Sequence, residues 1–273
     1  MRLPRIYVET ALSEGAILRL PADSARHLTH VLRRPAGTPL ALFNGDGRDY
    51  PAQLVAVDRG GATVRVGPPR APEPSAPLEI HLALGISKGE RMDHALQKSV
   101  ELGVTRVTPL FTERTQIQLA GPRLQRRLDH WRGIVIAACE QCGRSRLPVL
   151  VPATPYSNWL TGQPGGGLLL DPEAPRSLAA LPAPGSALTL LVGPEGGLSA
   201  GERERARAHG FEGVHLGPRI LRTETAPLAA VAIIQALWGD LRGPHPTDDP
   251  MTASSGATTH LEAGDSAGAP SLD

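Results

Sequence analysis

Cysteine is scarce in this 273-residue chain: Cys139 and Cys142 are the only two. Two thiols in a chain this long argue against a disulfide framework. No run of about 18 apolar residues occurs, so a spanning helix is not expected. Residues 1–10 lack the apolar stretch of a secretory signal, and a cytoplasmic protein with no membrane partner is expected. Aromatic residues make up 3% of the chain, too few for an extended platform on which single-stranded bases stack. Lysine is nearly missing: of 28 cationic side chains, only Lys88 and Lys98 are lysine. Together with 30 Gly and 27 Pro, this bias can reflect genome base composition, so arginine abundance alone does not argue for an RNA partner.

Hydrophobic residues account for 41% of the chain, enough for a substantial core in one large or two ordinary domains. The net charge of +1 hides an asymmetry. Residues 244–273 carry Asp248, Asp249, Glu262, Asp265 and Asp273 without Lys or Arg, which leaves residues 1–243 at +6. A mildly basic body is compatible with a polyanionic partner.

Composition divides the chain into four parts. Residues 1–67 hold strand-like runs at 5–8, 16–20, 39–43, 53–57 and 62–66, punctuated by Asn44-Gly45-Asp46-Gly47 and Arg59-Gly60-Gly61. One helical stretch, about 23–33, places His27, Leu28, Val31 and Leu32 near one face. A small β-barrel with one helix fits this pattern. Residues 68–77 are proline-rich and read as a stiff, extended linker. Residues 78–243 alternate strand and helix, which predicts an α/β domain with a mainly parallel sheet. Ser87-Lys88-Gly89-Glu90 and Ser199-Ala200-Gly201-Glu202 both read as capping boxes that open helices. A helix from about 224 to 238 is apolar on nearly all sides and needs cover from a core or a second subunit. Residues 244–273 lack apolar periodicity and are predicted to be disordered.

Two loops in the α/β part carry the functional signal. The first, Gly193-Pro194-Glu195-Gly196-Gly197, follows an apolar strand. It lacks the Gly-Lys-Ser/Thr of a phosphate-binding loop and the spacing of a dinucleotide fingerprint. The second, Leu216-Gly217-Pro218-Arg219-Ile220-Leu221-Arg222-Thr223-Glu224-Thr225-Ala226, opens the apolar helix. Two glycine-bearing loops at the same end of neighbouring strands make a backbone-lined pocket for a small polar ligand. Ile220 and Leu221 would pack an adenine or another apolar ligand face, or else fill the core. Glu195 and Glu224 also have a plainer reading as acids near helix starts, and Thr223 or Thr225 as N-caps. Cys139 and Cys142 supply at most two metal ligands with no second pair, and Cys139 reads as a small buried hydrophobe.

These loops resemble the bacterial 16S rRNA (uracil(1498)-N3)-methyltransferase family of the SPOUT superfamily. So do Ser87-Lys88-Gly89-Glu90-Arg91-Met92, Gln97-Lys98-Ser99-Val100-Glu101-Leu102-Gly103-Val104, Pro109-Leu110-Phe111-Thr112-Glu113-Arg114 and Ala137-Ala138-Cys139-Glu140-Gln141-Cys142-Gly143-Arg144. At the front, Pro4-Arg5-Ile6-Tyr7 and His27-Leu28 with Val31-Leu32-Arg33 match as well, so the likeness spans about residues 2–241.

The resemblance implies a PUA-like N-terminal β-barrel and a SPOUT-type α/β domain with a trefoil knot. It also implies S-adenosyl-L-methionine as cofactor, 16S rRNA of the small ribosomal subunit as partner, and a homodimer. Carried across, the cofactor-binding residues are Leu170, Gly193, Glu195, Gly196, Gly197, Leu216, Gly217, Ile220, Leu221, Arg222 and Ala226. One departure is Asp171-Pro172-Glu173, where relatives can carry a His-Pro-Arg-like sequence; this puts a side-chain role there in doubt but not a backbone role for Leu170. Expected RNA contacts are Arg5, Arg26, Arg33, Arg34 and Lys88, as phosphate-positioning cations. Uracil N3 is a poor nucleophile until deprotonated, and a guanidinium aimed at a carbonyl oxygen would stabilise the resulting charge. Arg222 is the first choice for that role and Arg5 the second, with Glu224 or Glu195 as candidate base. A noncatalytic RNA-binding module and a nucleotide-phosphate enzyme remain the alternatives.

Overall fold

Five short strands form the first sheet in the computed structural model, which describes residues 3–58 and 61–242. The expected tail at 244–273 lies outside the described residues. The strands are β1 (Arg5–Tyr7), β2 (Ile17–Arg19), β3 (Pro39–Phe43), β4 (Tyr50–Asp58) and β5 (Gly61–Val66), in the order β1-β3-β4-β5-β2. β1 runs parallel to β3, and the other pairs are antiparallel. Alternation sends Leu40, Leu42, Leu54, Val64 and Val66 into one core. A register shift between Leu54 and Ala56 bends β4 locally.

The expected helix at 23–33 is different in detail. α1 spans Ala22–Arg26 and passes into a π-turn, His27–Val31. The wider turn breaks the 3.6-residue stripe. Leu28 stays buried beside Ala25, whereas Val31 is 65% exposed and Leu32 38%. Arg33 follows with φ 48, the only positive-φ residue other than glycine among the described residues.

Residues 79–238 then alternate strand and helix. β6 (Glu79–Gly85), α2 (Glu90–Glu101), β7 (Arg106–Phe111), α3 (Gly121–Cys142), β8 (Val149–Leu150), β9 (Thr154–Pro155) and α4 (Tyr156–Thr161) come first. β10 (Gly167–Leu170), β11 (Arg176–Ser177), β12 (Ala187–Val192), α5 (Ala200–Ala208), β13 (Phe211–His215) and α6 (Thr225–Trp238) complete the series. The sheet order is β11-β13-β10-β12-β6-β7-β8, with β9 also on β7, and all of these pairs are parallel. Both faces are covered, as a parallel sheet requires. Ile80, Leu82 and Leu84 of β6 pack with Met92, Leu96, Trp131, Val231 and Ile234 from α2, α3 and α6. On the opposite face Ala83 joins Trp159, Leu160 and Ala206 from α4 and α5.

The two capping boxes part ways. At Ser199 both bonds form: Glu202 N–H donates to Ser199 Oγ at 3.1 Å, and Ser199 N–H to Glu202 Oε2 at 2.9 Å. At Ser87 no box forms. α2 begins after Gly89, whose φ is 63, while buried Ser87 turns its hydroxyl to Thr223 Oγ1 at 3.2 Å.

The proline-rich segment is tied down at Arg70 and Glu73. Arg70 N–H donates to Asp49 O, and Glu73 N–H to Gly47 O. The Glu73 carboxylate accepts Ser145 N–H at 2.6 Å and Arg146 N–H at 2.9 Å. Arg5 sits in the same seam. It pairs with Asp49, donates to Arg144 O at 3.0 Å and to Ser145 Oγ at 3.2 Å, and lies 4.9 Å over the Phe43 ring. Its side chain is 8% exposed, and both terminal nitrogens are engaged inside the protein. Arg5, expected to contact phosphate or to stabilise charge on a substrate, is thus an interdomain tie in this structure. Beside it Phe43 packs on Val135, Ala138 and Cys139 of α3. Burial pushes the Cys139 thiol up to about 12, the behaviour of an inert core residue.

His81 on β6 is mostly buried, 2.8 Å from Thr108 Oγ1 and edge-on to Trp159. Burial, assisted by Arg106, lowers its pKa from 6.5 to about 4. The unfolded chain therefore takes up this proton first as pH falls. The stability that the neutral ring contributes is complete above pH 6.5 and is lost towards pH 4. Thermal melts of His81→Gln against wild type are expected to show a shallower fall in Tm across that window; parallel curves would contradict it.

Candidate functional site

The carboxyl ends of β10, β12 and β13 open onto one cavity of about 350 Å³. This is where open parallel sheets place ligands, and the volume is within the size range of small-molecule sites. Leu170 contributes from the end of β10, and Gly193, Glu195, Gly196 and Gly197 from the loop after β12. Leu216, Gly217, Ile220 and Leu221 come from the loop after β13, and Ala226 from the first turn of α6. Arg222 and Glu224 do not line it.

Close backbone approach explains the shape of the first loop. A Cβ on Gly85, the last residue of β6, would lie 2.4 Å from Pro194 N and 2.8 Å from the Gly193 carbonyl carbon. A Cβ on Gly193 would lie 2.8 Å from Leu198 N. The loop thus folds on itself and on β6 only because these positions lack side chains. By contrast, a Cβ at Gly197 or Gly217 would meet no protein atom within 4 Å, so the space beside both backbones is open. Around this opening Leu170, Val192, Leu198, Leu216 and Leu221 supply apolar walls. Bare peptide groups with apolar walls suit a nucleoside-bearing ligand, which needs a few directional hydrogen bonds and a flat apolar slot.

Side-chain bonds that the sequence did not indicate hold the loops together. Thr223 donates to Gly193 O at 3.2 Å, joining the second loop to the first. Neither Thr223 nor Thr225 caps α6: Glu224 is its N-cap residue, without a side-chain cap bond. Arg114 donates to Gly196 O at 2.7 Å and lines the cavity. Glu195 accepts Lys88 N–H at 2.7 Å and an Arg91 N–H at 3.3 Å. Burial raises the pKa of this carboxylate, but the Lys88 bond, its own backbone N–H and Arg91 outweigh that and hold it below the usual range. Arg91 also lies 3.9 Å from Glu224, so one guanidinium faces both candidate bases. Spacing gave no hint of Arg91 or Arg114, because their partners lie about a hundred residues away in sequence.

The remaining expected residues are scattered. Arg222 is exposed; its carbonyl accepts Thr225 and Ala226 N–H, and its guanidinium has no hydrogen bond or ion pair among the described residues. Ile220 is 85% exposed at the cavity rim. Arg26, Arg33 and Lys88 are exposed, and Arg34 is half-buried. Asp171, in the segment that departs from relatives, is fully buried and bonded to Arg207 at 2.5 Å, with Arg203 at 3.9 Å. Its carboxylate also accepts Glu173 N–H at 3.1 Å, and the residue lines the cavity.

Gly85→Ala places a methyl group against the Pro194 backbone. Overpacking of this kind costs about 1–3 kcal/mol, and hydrogen exchange of residues 193–197 is expected to accelerate. Unchanged exchange and Tm would show that the loop does not depend on that approach.

A family model described as an RNA methyltransferase domain matches residues 74–235, and one described as an RNA methyltransferase PUA domain matches residues 20–67. The chain is 34% identical over 242 residues to Ribosomal RNA small subunit methyltransferase E of Buchnera aphidicola subsp. Schizaphis graminum, covering 88% of this chain and 98% of the relative. The Bacillus subtilis protein of the same name is 26% identical, covering 88% and 99%. Among solved structures, a Neisseria gonorrhoeae Ribosomal RNA small subunit methyltransferase E bound to S-adenosyl methionine is 40% identical with TM-score 0.81, covering 88% of this chain and 99% of that one. A Legionella pneumophila methyltransferase in complex with its cofactor SAM is 38% identical with TM-score 0.84, covering 88% and 100%. With its glycine-lined cavity at the ends of a parallel sheet and a PUA domain in front, this chain belongs to the RNA methyltransferase family.

Proposed function

We propose that the chain is an S-adenosylmethionine-dependent rRNA methyltransferase acting on N3 of uridine 1498 in 16S rRNA of the small ribosomal subunit. The observation that carries this reading is the meeting of two glycine-bearing loops beside an apolar-walled cavity, with an uncommitted guanidinium nearby. S-adenosylmethionine, when bound, supplies the methyl group from its sulfonium. The backbones at Leu170, Gly193–Gly197 and Leu216–Gly217 would hold and orient it, with Ile220 and Leu221 against its adenine. Arg222 carries the positive charge that favours the deprotonated uracil by facing O2 or O4. Glu224 or Glu195 takes the N3 proton, and Arg91 keeps those carboxylates in place. Glu195, held ionised by three N–H donors, is the poorer base of the two on that account.

Arg26, Arg33, Arg34 and Lys88 are proposed as phosphate contacts, and residues 1–67, 68–77 and 78–243 as barrel, linker and catalytic domain. The barrel positions RNA while the second domain reacts. α6 buries Ala230, Val231 and Ile234 but leaves Leu228, Ala229 and Ala232 only half covered. A second copy of the chain is the proposed cover, which sedimentation would detect. No described helix is long and apolar enough to cross a membrane.

Arg222→Ala is expected to lower kcat by at least about a hundredfold with little change in cofactor affinity. Radiolabelled methyl transfer into small-subunit RNA measures this, and equal turnover would remove Arg222 from the reaction. Gly196→Val sets side-chain atoms against Arg114, whose Cβ lies 3.1 Å from the position a Cβ would take. Calorimetry is expected to show cofactor binding abolished; retained binding would discredit the loop assignment.

A further inference from the structure

A second hollow, of about 260 Å³, lies away from the cofactor cavity and is lined by Leu119, Arg123, Arg126, Arg127 and His130. Four of these five belong to the first half of α3. Between Gly121 and Arg132 the only acid is Asp129, and its Oδ1 is engaged by Gln125 Nε2 at 2.8 Å. Arg123 and Arg127 are four apart and Arg126 lies beside them, so like charges are stacked along one helical face. That spacing destabilises a helix unless an anion lies against it.

Two of the lining side chains are held in place. Asp93 of α2 sits 2.8 Å from His130 Nε2 and 3.8 Å from an Arg127 nitrogen, and the Arg127 guanidinium lies 5.9 Å over the buried Trp131 ring. The other two are uncommitted: Arg123 and Arg126 are exposed and have no hydrogen bond or ion pair among the described residues. The Asp93 carboxylate thus faces one of the three guanidiniums, Arg127, and leaves the other two without an acid. Planar forks of N–H donors around a concave surface match phosphate oxygens.

The position fits a long polyanion. Asp93 is two residues from Arg91, which reaches Glu195 of the cofactor loop, so the first turn of α2 touches both sites. Further along α3, Arg132 donates to Glu9 at 2.7 Å and lies 3.5 Å from the Tyr7 hydroxyl, in the first domain. α3 itself therefore spans from the hollow to the first domain, with Arg132 on its other face. We infer that this hollow binds backbone phosphates of the RNA substrate, with Arg123 and Arg126 as the contacting groups and Asp93 as the residue that orients Arg127 and His130. The inference rests on the RNA methyltransferase reading and adds to it a docking site on the catalytic domain. Phosphate contacts of this kind set register without reading bases.

The test uses the full chain with 16S rRNA and with small-subunit particles. The double variant Arg123→Ala/Arg126→Ala alters exposed side chains, so it keeps the fold. Binding to at least one RNA substrate should weaken roughly tenfold at physiological salt, and the slope of log K against log salt should fall by about one per arginine. KM for RNA should rise with kcat unchanged, and calorimetric affinity for S-adenosylmethionine should match wild type. Arg176→Ala, at the far edge strand, serves as the control and should leave the slope alone. If wild type methylates RNA and the double variant keeps the same slope and KM on both substrates, the phosphate site is overturned while the enzymatic reading stands. If wild type transfers no methyl group to either RNA, the enzymatic reading falls and the site falls with it.

Discussion

Everything functional in this molecule depends on how closely two backbones approach at the ends of β6 and β12. These strands are neighbours and pair from Glu79↔Ala187 to Leu84↔Val192. The next residue of β6 is Gly85, and the turn after β12 lies directly on it, with room for hydrogen but not for carbon. Thr223 then reaches the Gly193 carbonyl and the Ser87 hydroxyl, so three segments of distant sequence are bonded within one turn of chain. Peptide groups fixed in this way present donors and acceptors without a reorganisation cost when a ligand arrives, which is the basis of preorganised binding.

The seam between the two sheets follows a different logic. Apolar packing of Phe43 on α3 supplies contact, and polar groups supply register. Arg5, Asp49, Ser145 and Glu73 satisfy one another across the proline-rich segment. Removing one member would leave a buried charge unpaired, which is costly, so the network fixes one arrangement of the domains more than it adds net stability. That fixed arrangement lets α3 serve both domains. Its second half packs under the barrel, and its first half faces outward with its arginines.

The contrast between the two capping boxes shows where sequence reading stops. Ser199-Ala200-Gly201-Glu202 forms the expected pair of bonds because all the partners lie within four residues. Ser87-Lys88-Gly89-Glu90 has the same pattern, but a hydroxyl from position 223 competes for Ser87, and the buried serine takes it. The helix at 23–33 failed for a related reason: a π-turn there shifts the face, a change that average periodicity does not register. β9, β11 and α4 are two to six residues long and carry no period at all. Arg5 was legible as a cation, but not as one enclosed by the domain interface.

By itself the sequence determined the alternation of strand and helix, the break between two kinds of sheet, and the two glycine-bearing loops with most of the cavity wall. These are written in spacings of two to four residues, where local geometry governs. Only the tertiary structure decided which loop ends converge, that Thr223, Arg91 and Arg114 fasten them, and that Arg222 and Glu224 stand outside the cavity wall. The physical reason is strand order. β6 lies between β7, the next strand in sequence, and β12, which comes after four further strands, and contacts made across the longer separation leave no periodic trace in the chain.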